Sequence, residues 1–335
     1  MLTDGSVATI QEYQCAEYWA TNGWMAPWLA HVDTAYWPAM IECIGEHWMK
    51  RSDWRRHILT EAGRATLRTQ LVTRISQASN VFVPWLAQAI HVDGLRVLEM
   101  GCGSGSSTAA LVHAGASVTG VDIKGPSLLM ADKRLSLLGL EANFIEAELT
   151  WLQSDVDPDA FAGPYDLMVC YAMIEHLLIP ERLNLLALAR RIMERDGAML
   201  ATFETPNRFA PFDWHTSKLA FADILPDELA FEFAKRRSVR RDHPAKRDRT
   251  FTHETQESMY RFGRGVSWHE FDLAFGLENI EIVLDGYSPR SGHQANYKSN
   301  DAYEASLAAL FAEMTPPVPR GFCRPSLELL IRKAG

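Results

Sequence analysis

The chain has 335 residues, 47% hydrophobic and 22% charged, which excludes disorder, collagen-like repeats and a disulfide-stapled mini-scaffold and leaves room for two domains or one enlarged domain. Lys and Arg total 33 against 42 Asp and Glu, a formal net charge of −9, and this disfavours a global grip on nucleic acid, where phosphate binding shows as a basic excess. No apolar run approaches the ~20 residues of a membrane span, the start lacks the features of a secretory signal, and Cys15, Cys43, Cys102, Cys170 and Cys323 are scattered without CxxC spacing, so the expectation is a cytoplasmic protein with reduced thiols and no zinc site.

Six of the ten tryptophans (Trp19, Trp24, Trp28, Trp37, Trp48 and Trp54) fall in the first 54 residues. That segment reads as helical, and an amphipathic stretch follows from Glu61 to Ile90, apolar at Leu67, Leu71, Ile75, Val81 and Leu86. Residues 1–90 are therefore expected to form a helical extension. Its aromatic side chains suit a core, a face for a homodimer, or a lid over an apolar or cyclic acceptor. From Arg96 the pattern becomes short apolar runs separated by helix-length segments. The runs are Arg96–Met100, Ser117–Asp122, Asn143–Glu148, Tyr165–Tyr171 and Ala198–Glu204, with helices expected near Ser106–His113, Ser127–Leu138 and Glu181–Glu194. Alternation of this kind predicts an α/β fold with a parallel sheet covered on both faces. After an insertion at about 208–266 come a helix over Ser267–Phe275 and a strand over Asn279–Gly286. A second helical insertion at about 288–325 carries a helix near Asp301–Met314, and the strand Ser326–Arg332 follows. Seven strands are thus available in a core spanning 91–335.

The strongest local signal is VLEMGCGSGSS, residues 97–107. An apolar strand ends in Glu99, and the loop after it carries Gly101, Gly103 and Gly105, where bare backbone lets a ligand approach and a helix N-terminus follows. The dinucleotide fingerprint is GxGxxG; here the spacing is GxGxG and Ser106 takes the last position. Glu99, two residues before the first glycine, suits a cationic amine better than a pyrophosphate and points to a sulfonium amino-acid cofactor. The second strand ends in Asp122, where a ribose-binding acid is expected. The third ends in Glu148 and Leu149, placed for an adenine edge and its apolar face. Taken singly, Asp122 also suits a helix N-cap.

Residues 96–206 resemble the core of class I S-adenosylmethionine-dependent methyltransferases of the ubiquinone/menaquinone-biosynthesis type. EMGCGSG is similar to the first motif, GVD to the ribose motif, YDLMVCYAMIEHL to the fourth-strand motif and GAMLATFETPNRF to the fifth-strand segment. The resemblance implies a Rossmann-like doubly wound sheet in the order 3-2-1-4-5-7-6 with the last strand antiparallel. It implies S-adenosyl-L-methionine as cofactor, with Glu99, Gly101, Gly103 and Gly105 on the methionine part, Asp122 at the ribose, Glu148 and Leu149 at the adenine, Cys170 and Tyr171 bordering the methyl group, and Cys102 and Ile123 also among the cofactor-binding residues. Some ubiquinone-pathway members carry a further acid before the EH pair that makes a metal site. Here that position is Ala172, leaving Glu175 and His176, so no metal is expected.

Methyl transfer from a sulfonium needs alignment and a base. His176 follows strand four and His215 strand five, and Asp213, two residues from His215, shares a face with it in extended backbone and is expected to orient its imidazole. A helix-start role that caps or packs is the alternative for His176. No [DNS]PP[YFW] run follows strand four, no Pro-Cys pair occurs, and only one acid stands after strand four; base-amine, cytosine-C5 and protein-arginine methylation are therefore disfavoured. The run KRRSVRRDHPAKRDR, Lys235 to Arg249, holds eight Lys or Arg and reads as a solvated loop, as capture of an anionic acceptor or, third, as an RNA contact, which the lack of interleaved aromatics disfavours. The expected activity is methylation of a small molecule, at a hydroxyl oxygen, with no membrane and no nucleic-acid partner. Methylation of nitrogen or carbon, a non-catalytic cofactor-binding subunit and, more distantly, an NAD(P)-dependent oxidoreductase are the rivals.

Overall fold

The computed structural model describes residues 13, 15–22, 24–149, 161, 163–238, 253–286 and 301–335. Its strands are β1 (Arg96–Met100), β2 (Ser117–Asp122), β3 (Asn143–Glu146), β4 (Leu167–Tyr171), β5 (Met199–Phe203), β6 (Ile280–Asp285) and β7 (Leu329–Lys333). They form one sheet in the order β3-β2-β1-β4-β5-β7-β6. β2 pairs in parallel with β1 and β3, and β4 with β5. β7 runs antiparallel to both β5 and β6. This is the expected order with the expected antiparallel last strand. β4 is buried along its whole length and β1 from its second residue, as strands covered on both faces must be. The expected runs overshoot several strands by one to three residues.

The chain divides into two compact units, Met1–Leu149 and Thr150–Gly335. The first holds the helical extension and β1 to β3. Its helices include Ala16–Asn22, Tyr36–Cys43 and a continuous run from Glu61 to Leu86, opened by Thr60, whose hydroxyl accepts the Gly63 N–H. That run is interrupted by two π-helical turns, Thr69–Thr73 and Ala78–Phe82. Trp19, Trp37, Met40, Ile44, Leu67 and Leu71 pack with Met130 of the helix Gly125–Leu138. Half of these six tryptophans are core: Trp19, Trp37 and Trp54 are buried, half-buried Trp28 stacks on His113 at 4.3 Å, and Trp24 and Trp48 stay about 40% exposed.

The second unit is built on the helix Ile179–Asp196. Pro180 sits in its first turn, Glu181 reaches back to the Leu178 N–H, and left-handed Gly197 ends it. The helix Trp268–Phe275 packs beside it and starts with Ser267, whose N–H and hydroxyl both donate to Glu270. Of the basic run, Lys235, Arg236 and Arg237 close the helix Asp227–Ser238; residues 239–249 lie outside the described residues. The helix Asp301–Ala312 occupies the second insertion. No helix among the described residues is long and apolar enough to cross a membrane.

Candidate functional site

In the first unit the loop after β1 turns on three left-handed glycines, Gly101, Gly103 and Gly105, with φ of 77°, 54° and 72°. Two of them need to be glycine for different reasons. A Cβ at Gly105 would lie 2.8 Å from the Ala131 Cβ, so this glycine lets the helix Gly125–Leu138 approach the loop. A Cβ at Gly103 would meet nothing within 4 Å, leaving a bare backbone edge that a ligand can lie against. Asp122, at the end of β2, accepts the Gly103 N–H and the Lys124 N–H, both at 2.9 Å. One carboxylate therefore holds both the glycine loop and the turn into the next helix. Ile123 beside it is 53% exposed, an apolar surface next to an acid. Glu148 is half-buried and Leu149 buried, just beyond β3.

Glu99 is fully buried at the end of β1 and accepts hydrogen bonds from the Ser107 and Thr108 hydroxyls. Burial pushes its carboxyl up to about 7 against the opposing pull of the two hydroxyls, and the Asp122 charge adds to the rise; among the described residues no cation acts on it. A buried carboxylate without a counter-ion fits a cationic amine, and together with open Gly103 and Asp122 it fits an amino-acid nucleoside. Burial also pushes the Cys102 thiol up, so Cys102 serves as a packed, neutral side chain.

In the second unit Cys170 and Tyr171 end β4, both buried, and Tyr171 packs on Phe203 of β5 with ring centroids 5.3 Å apart. The next residues after β4 and β5, Ala172 and Glu204, have φ of 47° and 55°, so the chain leaves both strand ends through sharp left-handed turns. His176 closes a single turn, Ile174–His176, and its Nδ1 lies 3.1 Å from the Arg261 carbonyl. A carbonyl only accepts, so Nδ1 carries a proton. The same reasoning holds for His215. Its Nδ1 meets the Thr216 hydroxyl at 3.2 Å, and that hydroxyl donates to the Gly263 carbonyl, so it accepts from Nδ1. The two imidazoles stand 5.4 Å apart, and buried Glu175 lies 3.7 Å from His176 Nε2.

Asp213 does not orient His215 as expected. Its carboxylate accepts the backbone N–H groups of His215, Thr216 and Ser217, because the segment turns instead of extending, and the acid is spent on shaping that turn. Apart from Thr216, the partners around His215 come from far along the chain. Glu175, His176 and His215 each place one ligand-type atom within 4.8 Å of the others, so three donors assemble although Ala172 replaces the further acid. Glu175 in this cluster, Thr216 and the Gly263 carbonyl were not singled out by sequence, and no local spacing announces them.

A cavity of about 410 Å³ also opens in the second unit, with Ile179, Phe209, Ile224 and Leu273 as apolar walls and Arg208 and His269 among its polar groups. Its size is that of a small-molecule site.

Residues 97–197 match the family model described as "Methyltransferase domain". The chain is 33% identical over 125 residues to the "Ubiquinone biosynthesis O-methyltransferase" of Vibrio cholerae serotype O1, covering 37% of this chain and 46% of that protein. Against the protein of the same description from Erwinia tasmaniensis it is 29% identical over 127 residues, 37% of this chain and 48% of that one. Among solved structures, "magnesium protoporphyrin IX methyltransferase" from Synechocystis PCC 6803 with bound SAH is 17% identical with a TM-score of 0.43, covering 74% of this chain and 92% of that one. The chain spans about half the length of the curated relatives it matches.

Proposed function

We propose, from the match of residues 97–197 to a methyltransferase domain, that this chain is a class I S-adenosylmethionine-dependent methyltransferase that methylates a small-molecule acceptor at a hydroxyl oxygen. The observation that carries the reading is the buried, cation-free Glu99 beside the open edge of Gly103 and the Asp122 carboxylate. When bound, the cofactor supplies a methyl group activated by a sulfonium, open to in-line displacement. The chain's part is to hold the cofactor's amine at Glu99, its ribose at Asp122 and its adenine by Ile123, Glu148 and Leu149, and to take the acceptor's proton at the Nε2 of His215 or His176. The insertion at 208–266 contributes Arg208, Phe209 and Ile224 to the cavity, which supports an acceptor with an apolar body; Arg208 itself is paired with Asp227.

The test is calorimetric titration with S-adenosylmethionine, S-adenosylhomocysteine and NADH side by side. Binding of the two sulfur nucleotides alone is expected, and Asp122→Ala should weaken it by about tenfold to a hundredfold, the worth of one or two hydrogen bonds to a charged group. Binding of NADH alone would overturn the reading in favour of an oxidoreductase. Cofactor binding without turnover on any hydroxyl, amine or carbon acceptor would favour a non-catalytic subunit.

The Glu175–His176–His215 cluster supports a second reading, in which the same three side chains hold a divalent cation beside the acceptor oxygen. His215→Ala should lower turnover by about 10²-fold or more with cofactor affinity intact under either reading. Chelation separates them. Turnover that survives exhaustive EDTA treatment supports the proton-acceptor reading, and turnover lost to EDTA and restored by Mg²⁺ or Zn²⁺ supports the cation.

A further inference from the structure

Arg134 lies on the helix Gly125–Leu138, on the face that carries Leu128, Ala131 and Leu135 into the core, and is itself fully buried. Its Nε donates to the Ser104 carbonyl at 2.8 Å, between the left-handed Gly103 and Gly105. Its Nη1 donates to the Gln70 carbonyl at 2.8 Å and to the Tyr36 hydroxyl at 3.3 Å. A second link runs parallel to the first, from the Ser104 hydroxyl to Gln70 Oε1 at 3.1 Å. Gln70 sits in the π-helical turn Thr69–Thr73, a local distortion that recurs at functional positions. Every acceptor bound by this guanidinium is neutral, and its Nη2 is buried without a hydrogen-bonding partner among the described residues. Burying a cation on neutral acceptors is costly, and a methionine of similar volume would pack in its place. What methionine cannot do is tie one loop carbonyl to two separate helices.

We infer that Arg134 is a positioning residue for the cofactor loop: with Gln70 and Tyr36 it fixes the path of Gly103–Gly105 from the helical extension, so that cofactor affinity depends on residues of that extension. The inference rests on the proposed cofactor reading. Ser104 is the hinge of the argument, because its carbonyl and its hydroxyl are both held from outside the loop. By linkage, whatever strengthens the tie from Arg134 and Gln70 to Ser104 must tighten cofactor binding by the same factor as the cofactor strengthens that tie.

Hydrogen exchange of residues 101–107 in the unloaded chain and calorimetry with S-adenosylhomocysteine test this on the full chain, comparing wild type, Arg134→Met, Arg134→Lys, Gln70→Met and the core control Leu67→Ala. Arg134→Met should speed loop exchange and raise the Kd by about tenfold or more, the loss of one to two hydrogen bonds to a charged group, with Arg134→Lys between it and wild type. Leu67→Ala should lower the melting temperature at least as far and leave both readouts within about twofold, since it removes packing only. Where Arg134→Met fails to fold, Gln70→Met decides by the same readouts, with an expected rise of about threefold from one neutral hydrogen bond. Loop exchange and Kd in the variants equal to those of Leu67→Ala would overturn the inference. A wild type that binds no S-adenosylhomocysteine would overturn the functional reading instead, and loop exchange would still decide the positioning role.

Discussion

Arg182→Met is expected to cost the second unit about 3–5 kcal/mol, the toll for breaking a buried charged network by removing one member. Arg182 is fully buried. Its Nε donates to the Leu177 carbonyl, its Nη1 to the Gly265 carbonyl and to Glu270 Oε1, and its Nη2 to the carbonyls of Glu175 and Arg264, at 2.8 to 3.1 Å. Four of these acceptors are backbone, and they belong to the two segments that carry His176 and follow Gly263. Burial works against the charge of Arg182 and Glu270 works for it, so the side chain is retained for its fork of donors, which no single neutral residue reproduces. Methionine would fill the volume and take one donor from each of four buried carbonyls and a carboxylate, of which the Glu175 carbonyl keeps the Arg264 N–H and Glu270 keeps Ser267. Urea denaturation would show the loss as a lower midpoint. Adding Glu270→Gln to Arg182→Met should recover part of it, since the uncompensated carboxylate is then gone. A loss below about 1 kcal/mol would mean that the carbonyls find other donors and that the fork is dispensable.

Most of the sheet was legible in the sequence for one physical reason. Strands buried on both faces, such as Leu167–Tyr171, appear as short continuous apolar runs, and the helices between them show as segments of helical length. The glycine loop was legible because left-handed turns need glycine, and the acids at the ends of β1 and β2 because open α/β sheets place ligands there. The helical period of residues 61–86 gave no sign of the π turns at Thr69 and Ala78, which shift the register by one residue without interrupting the apolar stripe. The tryptophans showed that aromatic mass was needed but not whether it faced inward, and the structure puts Trp19 and Trp37 at zero exposure. Buried arginines were invisible, because Arg134, Arg182 and Arg264 differ from surface arginines only in the distant carbonyls and acids that surround them. Asp213 misled for the opposite reason. Its nearness to His215 in sequence suggested a dyad, yet the turn brings its carboxylate to backbone N–H groups while Glu175 and His176 come to the imidazole from across the chain.

Glu99→Gln is expected to stabilise the unloaded protein at alkaline pH and to abolish high-affinity cofactor binding. Burial raises the Glu99 carboxyl from 4.5 to about 7, so the folded state prefers it protonated. The sign follows from that direction. The group's contribution to stability is fully present below pH 4.5 and is lost as pH rises through 7, by about 3 kcal/mol at most from the size of the shift. Glutamine keeps the shape and cannot ionise, and the Ser107 and Thr108 hydroxyls can turn to accept from its amide. Melting curves of wild type and variant should therefore coincide near pH 5 and separate up to pH 8, with the variant the more stable. Parallel curves across that range would show that Glu99 ionises without cost and is already solvated. Cofactor binding should run the other way. The amine of S-adenosylhomocysteine needs the ionised carboxylate, so wild-type affinity should rise between pH 6 and about 7.5, below the range where an α-amino group itself deprotonates. Glutamine offers no charge at any pH, and its weak binding should not follow that rise. The same residue thus trades stability of the unloaded chain for a site tuned to a cation, and the two pH trends, opposed in the wild type and both removed in Glu99→Gln, trace that trade to one carboxyl group.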